Sequence, residues 1–368
     1  MTRVQLDSVR NTSRFTCPQC GNPLILKIGK VVTPHFAHIV LSNCITSFSE
    51  RESPTHLLGK QHLAEFFTRI GCEVSVEAYL PEIAQRPDLL VRKGKHLFAV
   101  EFQCSVISIQ DVVKRNNGYR KIEIFPIWLL GTPKNMKVST SGISYLKLSK
   151  FMQSFMIRDS LYGLSLITYD PISEHFVYYT HLLHIGGISY VAKVRSLSLE
   201  YQTYPFAQVR SLTSEEVKGY WRIFQQKRAK YLKNRIFSSK FGARDKFLRN
   251  CYEHLIRPEN LPLYVGFPVQ GSESIQEHLI VWQLALLCAL NRNKIEPKQV
   301  SKEWIEAFLE TQCKVLHDER AIKTVKRYCQ LLIDLDYNLN LPILEQQFNE
   351  SKILDQFDDV LVAKRCEN

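Results

Sequence analysis

Long apolar runs are scarce in this sequence. The longest, Leu279 to Leu290, is interrupted by Gln283 and is too short to span a bilayer. The opening Met1-Thr2-Arg3-Val4-Gln5-Leu6-Asp7 has no apolar run that could serve as a signal peptide. These two absences predict a cytoplasmic protein with no membrane span. Closely spaced cysteines are also rare. Of ten, only Cys17 and Cys20 stand close together, and the scatter of the rest is that of reduced thiols. No internal repeat and no low-complexity tract is visible, which excludes a solenoid and a compositionally biased tail. Acids are outnumbered, with 36 Asp and Glu against 48 Lys and Arg, giving a net charge of +12. A basic excess of that size suits an anionic partner, and nucleic acid is the commonest.

At 368 residues the chain exceeds what one core usually serves, so several domains are expected. Four textures follow one another. Residues 1-50 are turn-rich and hold a Cys/His cluster, and 51-135 alternate helix and strand signals. Residues 136-210 are a β-rich connecting segment, and 211-368 are basic and mainly helical. Within 51-135, Ser53-Pro54 reads as an N-cap with proline at N1, opening a helix that Gly71 ends. Strands are predicted at 73–79, 86–91 and 96–102, a second helix at 107–119 and a buried strand at 125–130. The order is αβββαβ, and the expected class is α/β. Further on, short strands are predicted around 164–169, 176–180 and 188–194. Thr213 and Glu216 fit a capping box opening a long helix.

Cys17-Pro18-Gln19-Cys20 is a knuckle in which two thiolates can bind one tetrahedral ion, and His35-Phe36-Ala37-His38 and Cys44 follow closely. Structural zinc takes four S or N ligands, and a short segment with few large apolar residues needs such a staple. Five candidates, Cys17, Cys20, His35, His38 and Cys44, compete for four places, so either His35 or Cys44 is spare. The role expected of Zn²⁺ here is structural.

A second constellation is acidic. Metal-dependent phosphodiester cleavage needs carboxylates that hold Mg²⁺ or Mn²⁺ against the scissile phosphate, and a group that positions water. Pro87-Asp88 precedes one predicted strand, and Glu101-Phe102-Gln103 lies thirteen residues on, after a tight turn. Glu101 and Gln103 share a strand face. Asp88 and Glu101 are the predicted metal ligands, since two carboxylates among apolar residues would be costly without a counter-ion. His56 and Lys60, at i and i+4 on the first helix, project together toward them. Glu65 and Glu77 are candidates for a third acid. Arg115 and Tyr119, at i and i+4 on the second helix, are candidates for phosphate contact.

These residues resemble the PD-(D/E)xK nuclease superfamily, with Gln103 where lysine is usual. More closely, the chain resembles the competence protein CoiA family. That likeness rests on the CPxC and HFAH cluster and on Ser53, His56 and Lys60. It also includes Arg86-Pro87-Asp88, Glu101-Phe102-Gln103-Cys104-Ser105, Arg115 and Tyr119, with Leu261-Pro262 and Gly266-Phe267-Pro268 beyond. The resemblance implies a zinc-finger-like N-terminal module, a restriction-endonuclease-like core and a helical C-terminal domain. It implies a cytoplasmic factor that promotes recombination of incoming single-stranded DNA in natural transformation, alongside the recombinase or other transformation proteins. Nuclease activity is implied by the fold, and Gln103 departs from its pattern.

Between Lys218 and Arg249 stand eleven Lys or Arg and a single acid, Asp245, interleaved with Trp221, Phe224, Tyr231, Phe237, Phe241 and Phe247. Cations for phosphates and aromatics for bases suit single-stranded or branched DNA. Lys227, Lys230, Lys233 and Arg235 are the predicted phosphate contacts. The alternative is an amphipathic helix that buries its rings and leaves its cations in water. Two further functions remain open beside the nuclease: a non-catalytic single-strand-binding accessory, and a restriction or repair endonuclease outside competence.

Overall fold

A computed structural model describes residues 3–17, 20–29, 34–39, 52–136, 141–159, 163–204, 206, 209–237, 245–313, 319–346 and 348–361. The chain divides into two compact units, one of Met1–Ser105 with Gln110–Leu129 and the other of Val106–Ile109 with Leu130–Asn368.

The first unit opens with helix α1 (Arg3–Thr12) and a small antiparallel sheet, β1 (Phe15–Thr16), β2 (Pro23–Lys27) and β3 (His35–His38). Helix α2 (Pro54–Arg69) then starts as its sequence dictates: Ser53 Oγ accepts the His56 amide at 3.2 Å, and Pro54 occupies N1 or N2. Strands β4 (Glu73–Val76), β5 (Leu89–Lys93) and β6 (His96–Gln103) form an antiparallel meander. Helix α3 (Ile109–Lys121) returns the chain to β7 (Ile124–Gly131), the neighbour of β6. The order αβββαβ is the one the periodicities imply.

Two strands are shorter than expected. Strand β4 stops at Val76 because Glu77 has φ +51°, a left-handed residue that cannot continue the pleat. Strand β5 starts at Leu89 and not at Arg86, since Pro87 has no N–H for a ladder. The centre of β6, Ala99 to Phe102, is buried on both faces. Phe102 meets α2 at Gly59, where a Cβ would lie 2.1 Å from the ring. Ala99 packs on the α3 side with Tyr119. Glycine at 59 thus lets helix and strand approach closely.

The second unit is built on a mixed sheet. It contains β8 (Gly142–Lys147), the short helix α4 (Lys150–Gln153), β9 (Ile157–Asp159), β10 (Gly163–Asp170), β11 (His175–Gly186) and β12 (Ser189–Ser198). The order β9-β10-β11-β12-β8 is antiparallel throughout, and Leu130 and Gly131 pair in parallel with Thr168 and Tyr169. Helix α5 (Ser214–Phe237) is capped reciprocally: the Glu216 amide donates to Thr213 Oγ1 and the Thr213 amide to Glu216 Oε2. Helices α6 (Lys246–Glu253), α7 (Leu279–Asn293), α8 (Lys302–Gln312), α9 (Glu319–Asp334) and α10 (Glu350–Leu361) share one apolar core with α5 and with Leu183, Ile185 and Val191 of the sheet. Among the described residues no helix is long and apolar enough to cross a membrane.

Candidate active site

By the β5–β6 register, in which Leu89 pairs with Val100, Asp88 falls opposite Glu101. The two carboxylates are nevertheless held from different sides. Asp88 Oδ2 accepts the Phe102 amide at 2.8 Å and lies 3.3 Å from His56 Nε2 of α2. Glu101, 2% exposed, has its Oε1 2.5 Å from Arg115 Nη2 and hydrogen-bonded by the Tyr119 hydroxyl, both on α3. Among the described residues no hydrogen bond reaches the other oxygen of either acid, Asp88 Oδ1 or Glu101 Oε2. Burial raises the Glu101 pKa to about 7, with Arg115 opposing and Asp88 adding to the rise. A carboxylate so placed gains from any further cation.

On the α2 side the charges form a chain. His56 Nδ1 is 3.0 Å from Glu52 Oε1, so the imidazole bridges Glu52 and Asp88. Burial opposes its protonation, but hydrogen bonds and charge from Asp88 and Glu52 outweigh this and raise its pKa to about 9. Lys60, 4% exposed, reaches Glu52 at 2.6 Å and Glu77 at 2.5 Å. The His56 ring lies parallel to Phe102 at 5.8 Å. Glu52, His56 and Asp88 each offer a ligand atom within 4.8 Å of the others, a group that includes Asp88 but not Glu101.

His56, Lys60 and Asp88 therefore lie in one network, with Glu77 among its acids. Glu65 lies elsewhere, receiving Gln61 Nε2 at 2.8 Å. Gln103 is bonded to Ser105, its amide donating to the Ser105 carbonyl at 2.8 Å and hydroxyl at 3.1 Å. Arg115 and Tyr119 differ from expectation: Arg115 Nη2 and the Tyr119 hydroxyl bind Glu101, a buried acid that needs them. Sequence reasoning misses Glu52, although Glu52, His56 and Lys60 recur every four residues.

In the N-terminal sheet, Cys17, Cys20 and His38 bring ligand atoms within 4.8 Å of one another, with Cys20 Sγ 3.3 Å from His38 Nε2. His35 is outside this group because, three residues from His38 in a strand, it faces the other way. Cys44 lies outside the described residues. Two thiolates and an imidazole are a donor set that suits Zn²⁺.

Of the two readings of the basic helix α5, its rings follow the one that buries them. Tyr220, Phe224 and Phe247 are core residues, Trp221 packs on Phe357, and Tyr231 stacks on His278 at 3.5 Å. Only Phe237 is largely exposed among its described rings, and Phe241 lies outside the described residues. Lys227 sits 3.8 Å over the Tyr145 ring and Arg235 binds the buried Asp245 at 3.0 Å, leaving Lys230 and Lys233 on the exposed face.

Two family models match the chain. The competence protein CoiA nuclease-like domain covers residues 52–210, and the competence protein CoiA N-terminal domain covers residues 1–47. The competence protein CoiA of Bacillus subtilis (strain 168) is 35% identical over 170 residues. The chain belongs to the competence protein CoiA family. The aligned stretch is 46% of this chain and 44% of that relative, so the likeness spans less than half of either. The CoiA nuclease-like match contains Glu52, His56, Lys60, Glu77 and Asp88 of this network and Glu101 beside it. No solved structure matches the chain.

Proposed function

We propose that this CoiA-family chain cleaves DNA phosphodiester bonds at a divalent-metal site formed by Asp88 and Glu101 in a restriction-endonuclease-like core. It would act in the cytoplasm on incoming single-stranded DNA and promote its recombination during natural transformation, beside the recombinase. One observation carries the reading: the two acids stand opposite each other in register, each with one oxygen anchored and the other without a hydrogen-bond partner among the described residues. Mg²⁺ and Mn²⁺ take oxygen ligands, so this donor set fits them. A cation bound there would withdraw electron density from the phosphodiester and lower the pKa of the attacking water.

The chain's own groups supply the rest. Arg115 and Tyr119 fix Glu101, and the Phe102 amide fixes Asp88. His56, protonated at neutral pH by its two acids, can donate a proton or a hydrogen bond to a phosphate oxygen. Lys60 holds Glu52 and Glu77 in place. Zn²⁺ on Cys17, Cys20 and His38 would staple the N-terminal sheet, and Lys230 and Lys233 would touch DNA.

Labelled single-stranded, duplex and branched DNA incubated with Mg²⁺ or Mn²⁺ test the proposal. Cleavage that disappears in Asp88→Asn and Glu101→Gln is the expected result. Gln103 favours a second reading, since a carboxamide bonded to Ser105 cannot supply the charge of the superfamily lysine. Binding of single strands with no cleavage of any substrate would select that reading, a non-catalytic accessory.

A further inference from the structure

The cations of this site are answered by acids with one exception. Lys60 has Glu52 and Glu77, Arg115 has Glu101, and His56 lies between Glu52 and Asp88. Arg86 has no ion pair among the described residues. Its guanidinium carbon lies 6.0 Å from the Tyr79 ring centroid, and its Nε is buried without an acceptor. Stacking on a ring satisfies the face of a guanidinium and leaves its edge donors unspent. A half-buried charge with neither counter-ion nor full hydrogen bonding is costly in an isolated protein and is relieved by an anionic ligand.

The backbone at Arg86 is fixed close to the acids. Its carbonyl accepts Arg115 Nη2 at 3.0 Å, and that same nitrogen lies 2.5 Å from Glu101 Oε1. Pro87 biases Arg86 to an extended conformation, and Arg86 is separated from Asp88 by that proline alone. The fork of a guanidinium matches two phosphate oxygens, whereas an ammonium meets them as a point charge.

We propose that Arg86 is a phosphate-binding residue, holding a nucleic-acid backbone phosphate next to the phosphodiester that reaches Asp88 and Glu101. The inference rests on the reading of those two acids as the reaction centre, but its test is read on binding and not on cleavage. Binding of the full zinc-loaded chain to a labelled oligothymidylate is followed by anisotropy over a KCl series with no added Mg²⁺ or Mn²⁺. Arg86→Gln should bind about tenfold more weakly. Its plot of log affinity against log salt should be shallower by about 0.7, the contribution of one phosphate contact on a single strand. Arg86→Lys, which keeps the charge but not the fork, should keep the wild-type slope with reduced affinity. Melting curves establish that each variant is folded, and if Arg86→Gln does not fold, the Lys variant decides. Wild-type affinity and slope in Arg86→Gln would overturn the proposal, as would an Arg86→Lys slope that differs from wild type, or no measurable binding by the wild type. A wild type that binds but never cuts would remove the nuclease reading and leave the Arg86 result standing.

Discussion

His56 Nε2 and Asp88 Oδ2 lie 3.3 Å apart, and the same Asp88 oxygen accepts the Phe102 amide. This relationship depends on how closely α2 approaches β6, which Gly59 sets. A methyl at residue 59 would overlap the Phe102 ring at 2.1 Å, and that ring is 1% exposed. Alanine gains about 1 kcal/mol of helix propensity over glycine. Overpacking costs about 1–3 kcal/mol. Gly59→Ala should therefore lower stability in denaturant titration despite the better helix former, and an equal or higher midpoint would contradict the packing described.

Arg115 is the cation that makes a buried Glu101 tolerable. Arg115→Met leaves that carboxylate uncompensated, a change that costs about 3–5 kcal/mol in buried pairs. Arg115→Met with Glu101→Leu removes both charges and should recover most of the loss. Chemical denaturation of the two variants checks this, and a single variant as stable as the double would refute the pairing.

The N-terminal cluster predicts which residues retain zinc. Freshly purified Cys20→Ser and His38→Ala should lose the metal found in the wild type, and His35→Ala should keep it. Metal analysis reads the outcome directly. Zinc lost with His35 but kept without His38 would reverse the assignment of Cys17, Cys20 and His38.

Buried His181 and His184 and half-buried His278 give the second unit an acid sensitivity. Burial lowers the His181 and His184 pKa values to about 4 and the His278 pKa to about 3, with nearby Lys193 adding to the shift of His181, and with His184, Arg235 and Arg228 adding to that of His278. His278 Nδ1 also accepts the Ile280 amide at the start of α7, which a proton there would prevent. Between pH 6.5 and about 4 the unfolded chain binds these protons and the folded one does not. Stability is therefore full above pH 6.5 and falls on acidification, by up to about 1.4 kcal/mol per pH unit per histidine. Denaturant midpoints at pH 7 and pH 5 should show the drop, and His278→Asn, which can still cap α7, should reduce it. A flat profile would contradict the burial of neutral imidazoles.

The αβββαβ order was legible because capping, periodicity and turn residues all act locally. Ser53-Pro54, the tight turn between β5 and β6, where Gly94 takes a φ of +59°, and the Thr213–Glu216 box are local signals that the structure uses as written. His56 and Lys60 were legible as a pair for the same reason. The fates of Arg115, Tyr119 and Arg235 were not, because each depends on a partner brought by tertiary packing: buried Glu101 for the first two and Asp245 for the third. The rings of α5 left two readings open for a related reason. Aromatics at helical spacing serve a core and a base-stacking surface equally well, and only the neighbouring helices decide.

Metal binding by the acid pair is tested most directly by Mn²⁺ titration calorimetry on zinc-loaded protein. The account predicts a Mn²⁺ site in the wild type that Mg²⁺ displaces and that Asp88→Asn and Glu101→Gln each abolish, with zinc content unchanged. Mn²⁺ binding of undiminished affinity in both variants would contradict it.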